Sequence, residues 1–242
     1  MVKVFVSLNG MGDVANTGSA LETALAAGAD GVHIDIMDSS SGGGSNVYSF
    51  SPDYVEKVVR YAIYKRDSID FPVEVGLFVA DPFSVAADYA GAGVSRITIP
   101  YQAFRSDPER MLRDMAFVRK RKEFADNSRK IGLSFAASEL KGNFTIEKYS
   151  TADYVTVVAS GPGYDKVPAV VGIDSVVRQL RDDRARVKAR YAWFDFGIAV
   201  QGGITHVNAA AIKRAGADVI VLGRDFFESK VHSAYLESVR GA

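Results

Sequence analysis

His33 and Asp35 are the residues of this chain whose types and spacing point most directly to chemistry. They lie in the segment HIDIMD (33–38), which follows a short apolar run and precedes a stretch rich in serine and glycine. Alternate side chains of an extended strand share one face, so these two side chains are expected to lie side by side. A histidine beside a carboxylate at the end of a strand can bind a metal or transfer a proton. The alternative is that His33 is a hydrogen-bonded core histidine and that Asp35 caps the next turn.

The elements that would position this pair are short segments rich in valine and isoleucine, which predict strands that alternate with helices. Continuous apolar strands are typical of parallel sheets that are covered on both faces. The predicted strands are near Lys3–Leu8, Gly31–Ile36, Pro72–Val79, Ser95–Ile99, Lys130–Phe135, Tyr154–Ala159, Gly197–Gln201 and Asp218–Leu222. The predicted helices are Ser19–Ala27, Ser51–Lys65, Pro82–Ala90, Asp107–Ala125, Asp174–Lys188 and Val207–Ala215.

Eight strands that alternate with helices over 242 residues predict an α/β protein of the (β/α)8 TIM-barrel class, with residues 1–242 as a single domain. A flavodoxin-like or Rossmann open sheet is the alternative, but no Gly-x-Gly-x-x-Gly motif follows the first strand. Chemistry in such a barrel gathers at the carboxyl ends of the strands, where His33 and Asp35 are predicted to lie. The serine–glycine stretch at 39–45 would be a mobile loop above them and a candidate lid.

Glycine-bearing turns follow each of the last three predicted strands. They contain Gly161 and Gly163, then Gly202 and Gly203, then Gly223 with Arg224. Glycine lets backbone N–H groups approach an anion closely, and barrel enzymes often bind phosphate at the loops after strands seven and eight. The side chain of Arg224 can add a bidentate contact. These turns predict a phosphorylated ligand; the alternative is that they are only the tight turns that any barrel needs.

Composition excludes several classes of partner and site. The 29 Lys and Arg residues balance the 29 Asp and Glu residues, which gives no support for nucleic acid or an anionic membrane as partner. The chain has no cysteine, so disulfides, thiolate zinc sites and cysteine nucleophiles are excluded. Its start is too short and strand-like for a secretion signal, and no apolar run approaches membrane-spanning length. We therefore expect a cytoplasmic protein, and the sequence leaves open whether it forms a homo-oligomer.

Several of these motifs together resemble the ribulose-phosphate 3-epimerase family of ribulose-phosphate-binding barrels. The most specific is the strand-two segment 28–38, in which Gly-Ala-Asp is followed by His-x-Asp-x-Met-Asp. The others are Asp81-Pro82, Ala92–Ser95, Pro162–Tyr164, Gly202–Ile204 with Asn208, Ala215–Asp218 and Phe226-Phe227. The resemblance covers nearly the whole chain. It implies a sugar-phosphate epimerase in which four residues hold a divalent metal (Zn, Fe or Mn) and two aspartates act as acid and base.

The resemblance also assigns roles to individual positions. Asp35 becomes the main catalytic base, and His33 with Asp35 forms the strand-two half of the metal site. The implied substrate contacts are Ser7, His33, Gly161, Gly163, Gln201, Gly202, Gly203, Gly223 and Arg224, with Asn9 as a further polar group beside Ser7.

The other half of the metal set is changed in this chain. Gly76 stands where the family has a histidine on strand three, and Gln201 stands where it has an aspartate on strand seven. Strand four also departs, with Pro100–Gln102 where the family has a histidine and a glutamate. One histidine and one carboxylate would hold a metal weakly. Glu74 lies two residues before Gly76 and shares its face, so it is a candidate replacement ligand.

Three functions follow from these observations. A sugar-phosphate epimerase or isomerase is favoured, because one carboxylate can still move a proton between adjacent carbons on one face. Aldol cleavage or decarboxylation is less favoured, since Lys130 lies at the amino end of strand five and the Asp-x-Lys pattern of related barrels is absent. The alternative from a different class is a catalytically silent phosphosugar-binding barrel that has lost its metal site.

Overall fold

A computed structural model describes residues 1–11, 14–38, 50–104, 107–120, 129–140, 152–160, 169, 171–192 and 195–241 of this chain. Within these residues the fold is a closed barrel of eight parallel strands, in which each strand pairs with the next and the last pairs with the first. The strands are β1 (Lys3–Ser7), β2 (Gly31–Met37), β3 (Val73–Phe78), β4 (Arg96–Pro100), β5 (Lys130–Ala136), β6 (Tyr154–Val158), β7 (Gly197–Gln201) and β8 (Val219–Leu222). The predicted (β/α)8 barrel is confirmed, and each predicted strand agrees with the observed one to within one residue at either end.

Helices pack against the outside of the barrel. The described helices are α1 (Thr17–Ala26), α2 (Pro52–Arg66), α3 (Pro82–Gly91), α4 (Pro108–Arg119), α5 (Ile173–Arg190), α6 (His206–Ala215), α7 (Arg224–Glu228) and α8 (His232–Gly241). The sequence analysis does not predict α7 and α8, and the predicted extension of α4 to Ala125 lies outside the described residues. None of the described helices is long and apolar enough to cross a membrane.

Three helices begin at a side-chain cap that is followed directly by proline. Ser51, Asp81 and Asp107 each accept a hydrogen bond from the backbone N–H three residues later, at the starts of α2, α3 and α4. The cap pairs a backbone N–H that has no partner within the helix, and proline at the first helical position has no N–H to leave unpaired. These caps therefore fix the residue at which each helix begins after the strand before it.

The lumen of the barrel has an apolar half and a charged half. Alternation along each strand directs one set of side chains outward, into the large core against the helices, and the other set inward. The inward side chains of β1, β7 and β8 form a separate small cluster of Phe5, Ala199, Val219 and Val221. The inward side chains of β2, β3 and β4 include His33, Glu74 and Arg96, which lie opposite one another in the sheet. Strand register thus places three ionisable side chains in a row across three neighbouring strands.

Candidate active site

Asp35 is a partly exposed carboxylate at the carboxyl end of β2. Its side chain is 17% exposed, and its Oδ1 lies 2.8 Å from Nε2 of His33. A neighbouring carboxylate, that of Asp38, accepts a hydrogen bond of 2.8 Å from the backbone N–H of Ala80 and joins the ends of β2 and β3. The role of capping the next loop therefore belongs to Asp38, and the Asp35 carboxylate remains partly open at the strand ends.

Asn9 fixes the backbone of Asp35. It lies in a short 3-10 helix, Leu8–Met11, that directly follows β1. Its Oδ1 accepts a hydrogen bond of 2.8 Å from the N–H of Asp35, and its Nδ2 donates one of 3.2 Å to the carbonyl oxygen of Asp35. The resemblance implies a substrate contact for Asn9, whereas in the structure its amide holds the strand end that carries the predicted base.

His33 is a buried histidine whose two ring nitrogens both face carboxylates. Its side chain is 1% exposed, and Nδ1 lies 3.3 Å from Oε1 of Glu74, whose side chain is fully buried. This second contact falls outside hydrogen-bond geometry, so its character is mainly electrostatic. The burial of His33 agrees with the alternative that it is a core histidine. Its contact with a substrate stays a prediction.

Glu74 is held on its other side by Arg96 and Thr98. The Nε atom of Arg96 lies 2.5 Å from Oε2 of Glu74, and the Thr98 hydroxyl donates to Oε1 at 2.9 Å. The Arg96 guanidinium also stacks over the ring of Tyr154, 3.8 Å from its centroid, and the Tyr154 hydroxyl lies 2.8 Å from that of Thr98. Sequence reasoning missed this network. Its signals were two charged residues, Glu74 and Arg96, each within an otherwise apolar predicted strand.

Burial and charge act in opposite directions on the two central groups. Burial alone would lower the pKa of His33, but the charge and hydrogen bond of Asp35, together with Glu74, raise it to about 10. Burial alone would raise the pKa of Glu74, but the charge of Arg96 and the contact with His33 lower it to about 2. The two shifts favour a charged His33 ring beside a charged Glu74 carboxylate.

The residues at the predicted metal site do not fit the ligand set that the resemblance implies. A Cβ placed on Gly76 would lie 2.8 Å from the ring of Phe78 and 3.1 Å from Oδ1 of Asp35, so a third ligand side chain here would require the Phe78 ring to move. The hypothesis that Glu74 replaces this ligand is not supported, because both of its oxygens are engaged on the far side of His33. Across the described ranges, no group of three or more His, Cys, Asp or Glu side chains is arranged to hold a metal ion.

The glycine pair after β7 lies in a tightly packed turn. Gly202 has φ +90° and Gly203 has φ +63°, conformations that favour glycine. A Cβ on Gly202 would lie 2.4 Å from Oγ of Ser160, which follows β6. The tips of β6 and β7 are thus in direct contact, as a shared anion site would require. Gly161 and Gly163 lie outside the described residues.

The turn after β8 packs against the turn after β1. A Cβ on Gly10 would lie 2.7 Å from the backbone carbon of Gly223, and Arg224 begins α7 directly after that glycine. Ser7, the last residue of β1, is partly exposed and pairs with His33 in the sheet. The structure therefore brings the last predicted phosphate turn next to the segment that holds Asp35.

Gln201 ends β7 as a buried polar side chain. Its Oε1 has no hydrogen-bond partner among the residues that the structure describes, and the same is true of Oγ1 of Thr156 on β6. Strand register places both side chains in the inward set: Thr156 lies level with Ala199, and Gln201 is two residues after Ala199 on β7. Buried polar atoms without a protein partner indicate a place for water or for a polar ligand.

Comparison with known proteins identifies the family of this chain. Residues 3–227 match the model of the Ribulose-phosphate 3 epimerase family. The chain is 28% identical over 232 residues to ribulose-phosphate 3-epimerase of Escherichia coli (strain K12), which covers 94% of this chain and 90% of that protein. It is 26% identical over 213 residues to the Aquifex aeolicus (strain VF5) protein of the same name, with 88% and 84% covered.

Solved structures of low sequence identity share the barrel fold. KGPDC from Streptococcus mutans superposes with a TM-score of 0.62 at 13% identity, over 100% of this chain and 96% of that one. Phosphoribosyl anthranilate isomerase from Thermus thermophilus superposes with a TM-score of 0.60 at 12% identity, over 99% of each chain. These likenesses concern the fold alone. The match over residues 3–227 shows more: this chain belongs to the ribulose-phosphate 3-epimerase family.

Proposed function

We propose that this chain is a sugar-phosphate epimerase or isomerase in which Asp35 is the main base. The observation that carries the proposal is the placement of this carboxylate at the open ends of the strands, held at its backbone by Asn9 and at its side chain by His33. A base held in one position needs little further ordering to reach the transition state. Membership of the family supports a ketose phosphate as the substrate class.

In the proposed reaction Asp35 removes a proton from the carbon next to the carbonyl of a ketose phosphate. The C–H electron pair forms the double bond of an enediolate, and the carbonyl oxygen takes the negative charge. When that carbon is the terminal C1, return of the proton by Asp35 to C2 on the same face, with transfer of the C1 hydroxyl proton to the C2 oxygen, gives an aldose phosphate. When that carbon is C3, return of a proton to C3 from the opposite face gives the epimer. Gln201 can donate a hydrogen bond but cannot remove a proton, so the described site favours chemistry on one face.

The phosphate is proposed to bind at the turns after β6, β7 and β8. The groups assigned to it are the backbone amides at Gly161, Gly163, Gly202, Gly203 and Gly223 and the side chain of Arg224. Two features support this: positive φ angles after β7, and the start of α7 at the turn after β8, which directs N–H groups toward an anion. Gln201, whose amide oxygen has no hydrogen-bond partner among the described residues, and Ser7 are proposed to contact the sugar.

Solvent-deuterium exchange tests the role of Asp35. We expect the purified protein to incorporate deuterium into ribulose 5-phosphate or a related ketose phosphate, measured by NMR, and Asp35→Asn to abolish this exchange. Asp53→Asn, a change to an exposed aspartate in the first turn of α2, is the matched control and is expected to leave exchange unchanged. Exchange by the wild-type protein at no more than the rate of Asp35→Asn would contradict the proposal.

The altered metal set favours a second candidate, a phosphosugar-binding barrel without catalysis. Gly76 and Gln201 stand at two of the four implied ligand positions, and Phe78 fills the space beside Asp35. Calorimetry with a panel of pentulose and hexulose phosphates separates the two functions. Binding without exchange across the panel would favour the silent barrel. The aldol alternative gains no support, because Lys130 is exposed at the amino end of β5.

A further inference from the structure

The charged half of the lumen contains a continuous chain of contacts that the proposed reaction does not use directly. It runs from Asp35 through His33 and Glu74 to Arg96. Oδ1 of Asp35 lies 2.8 Å from Nε2 of His33, and Nδ1 of His33 lies 3.3 Å from Oε1 of Glu74. Oε2 of Glu74 lies 2.5 Å from Nε of Arg96. His33 is paired with Glu74 in the sheet, and Glu74 with Arg96, so the register of three strands sets this order. The chain of contacts ends where the Arg96 guanidinium stacks over the ring of Tyr154, 3.8 Å from its centroid.

We propose that Glu74 and Arg96 are positioning residues that hold His33, and through it Asp35, in place without a divalent metal. This inference rests on the proposed function of Asp35 as a base. Arg96 fixes the Glu74 carboxylate, which faces one edge of the His33 ring. The opposite edge of that ring donates to Asp35. The row of side chains takes over the orienting role that the implied metal would have.

The cost of burying these groups supports a role beyond stability. The side chains of His33 and Glu74 are 1% and 0% exposed, and charged groups lose much of their hydration free energy at such sites. Apolar side chains of similar volume often fill such a space at a lower cost. The other half of the lumen is filled in that way, by Phe5 and the small apolar cluster around it. Packing alone therefore does not account for an ion pair at this position.

The same geometry works against a metal. Nε2 of His33 is engaged by Asp35, and Nδ1 points away from the strand ends toward Glu74. A metal shared by Nε2 of His33 and Oδ1 of Asp35, which lie 2.8 Å apart, would have to displace the proton between them, and the ring of Phe78 occupies the space over Gly76 where a further ligand would stand.

Kinetics of four lumen variants test the positioning role. Glu74→Gln and Arg96→Met are expected to lower kcat about 10–100-fold, as removal of a supporting contact typically does, with the KM for the ketose phosphate unchanged. Arg96→Lys keeps the charge and is expected to recover part of kcat. Val219→Ala removes packing from the apolar half of the lumen and is the control for a merely structural effect. It is expected to lower stability and leave kcat unchanged.

A variant that strands a buried charge can fail to fold. The double variant Glu74→Gln with Arg96→Met leaves no unpaired charge at this pair, so the kinetic test can be made on it if a single variant does not fold. A raised KM with unchanged kcat in these variants, or a loss of kcat in Val219→Ala as large as in Glu74→Gln, would overturn the positioning role.

Metal analysis tests the second half of the inference without any need for turnover. Wild-type protein incubated with Zn²⁺ or Mn²⁺ and then dialysed is expected to retain substoichiometric metal by elemental analysis, and its exchange activity is expected to survive EDTA. Stoichiometric retention that Asp35→Asn abolishes would overturn the inference. If the wild-type protein catalyses no exchange at all, the proposed function fails, while metal retention still decides whether the site is built for a metal.

Discussion

Arg96→Met removes one partner of the buried ion pair and should be the most destabilising single change in the lumen. Glu74 is fully buried and the Arg96 side chain is 17% exposed, so the substitution strands a carboxylate inside the barrel. Breaking such a pair costs about 3–5 kcal/mol, and the lost stacking on Tyr154 adds about 1 kcal/mol. For a domain of this size, the combined loss of about 4–6 kcal/mol lowers Tm by about 8–24 °C.

Urea denaturation of the variant beside a matched surface control measures this loss. Arg60 pairs with Glu56 on α2, where the two side chains are 78% and 42% exposed, and Arg60→Met should cost about 0.3–0.5 kcal/mol. Adding Glu74→Gln to Arg96→Met should recover much of the loss, because no buried charge is then unpaired. Equal losses in Arg96→Met and Arg60→Met, or no recovery in the double variant, would refute the claim that this pair is buried and coupled.

Three further predictions follow from other contacts. The pKa of His33 is raised from 6.5 to about 10, so its stabilisation is complete below pH 6.5 and is lost as the pH rises toward 10. The pKa of Glu74 is lowered from 4.5 to about 2, so its stabilisation is present above pH 4.5 and is lost as the pH falls toward 2. The urea concentration at the unfolding midpoint should therefore fall on both sides of the range pH 4.5–6.5. A midpoint that stays constant above pH 6.5 would contradict this. Gly202→Ala should lower the free energy of unfolding by about 1–3 kcal/mol, because Gly202 has a positive φ and a Cβ there would contact Ser160. Gly18→Ala in α1, where a Cβ meets nothing within 4 Å, should raise it by about 0.5–1 kcal/mol. Equal shifts of Tm in the two variants would exclude this explanation. Asn9→Ala should lower kcat with little change in KM, since it frees the backbone beside the base, and a raised KM alone would point instead to a substrate contact.

Much of the fold was predictable because a barrel strand is covered on both faces. Each strand is then a continuous apolar segment that stops where turn residues begin, which is why the strand boundaries agree within one residue. His33 and Asp35 were predictable as neighbours, since alternation within one strand fixes which side chains share a face. Both predictions depend only on local sequence.

The partners of these residues were not predictable, because they depend on contacts between strands. Glu74 meets Arg96 across 22 positions of sequence, and the sequence alone does not fix the register that brings them together. The same reason explains why Glu74 seemed available as a metal ligand: its face was predicted correctly, but not its engagement by Arg96. Helices α7 and α8 were missed because their buried side chains are too few to give a clear helical periodicity of apolar residues in the sequence. These side chains are chiefly Phe226, Leu236 and Val239.

The short helix after β1 touches both ends of the proposed substrate site. Asn9 holds the backbone of Asp35, and the adjacent Gly10 rests on Gly223, where the phosphate is proposed to bind. Consecutive Cα atoms are about 3.8 Å apart, so these two contacts are held at a fixed separation along the chain. With the phosphate bound as proposed, this spacing would set which carbon of the ketose phosphate lies beside the carboxylate. We therefore expect the protein to discriminate between ketose phosphates that differ in length by one carbon.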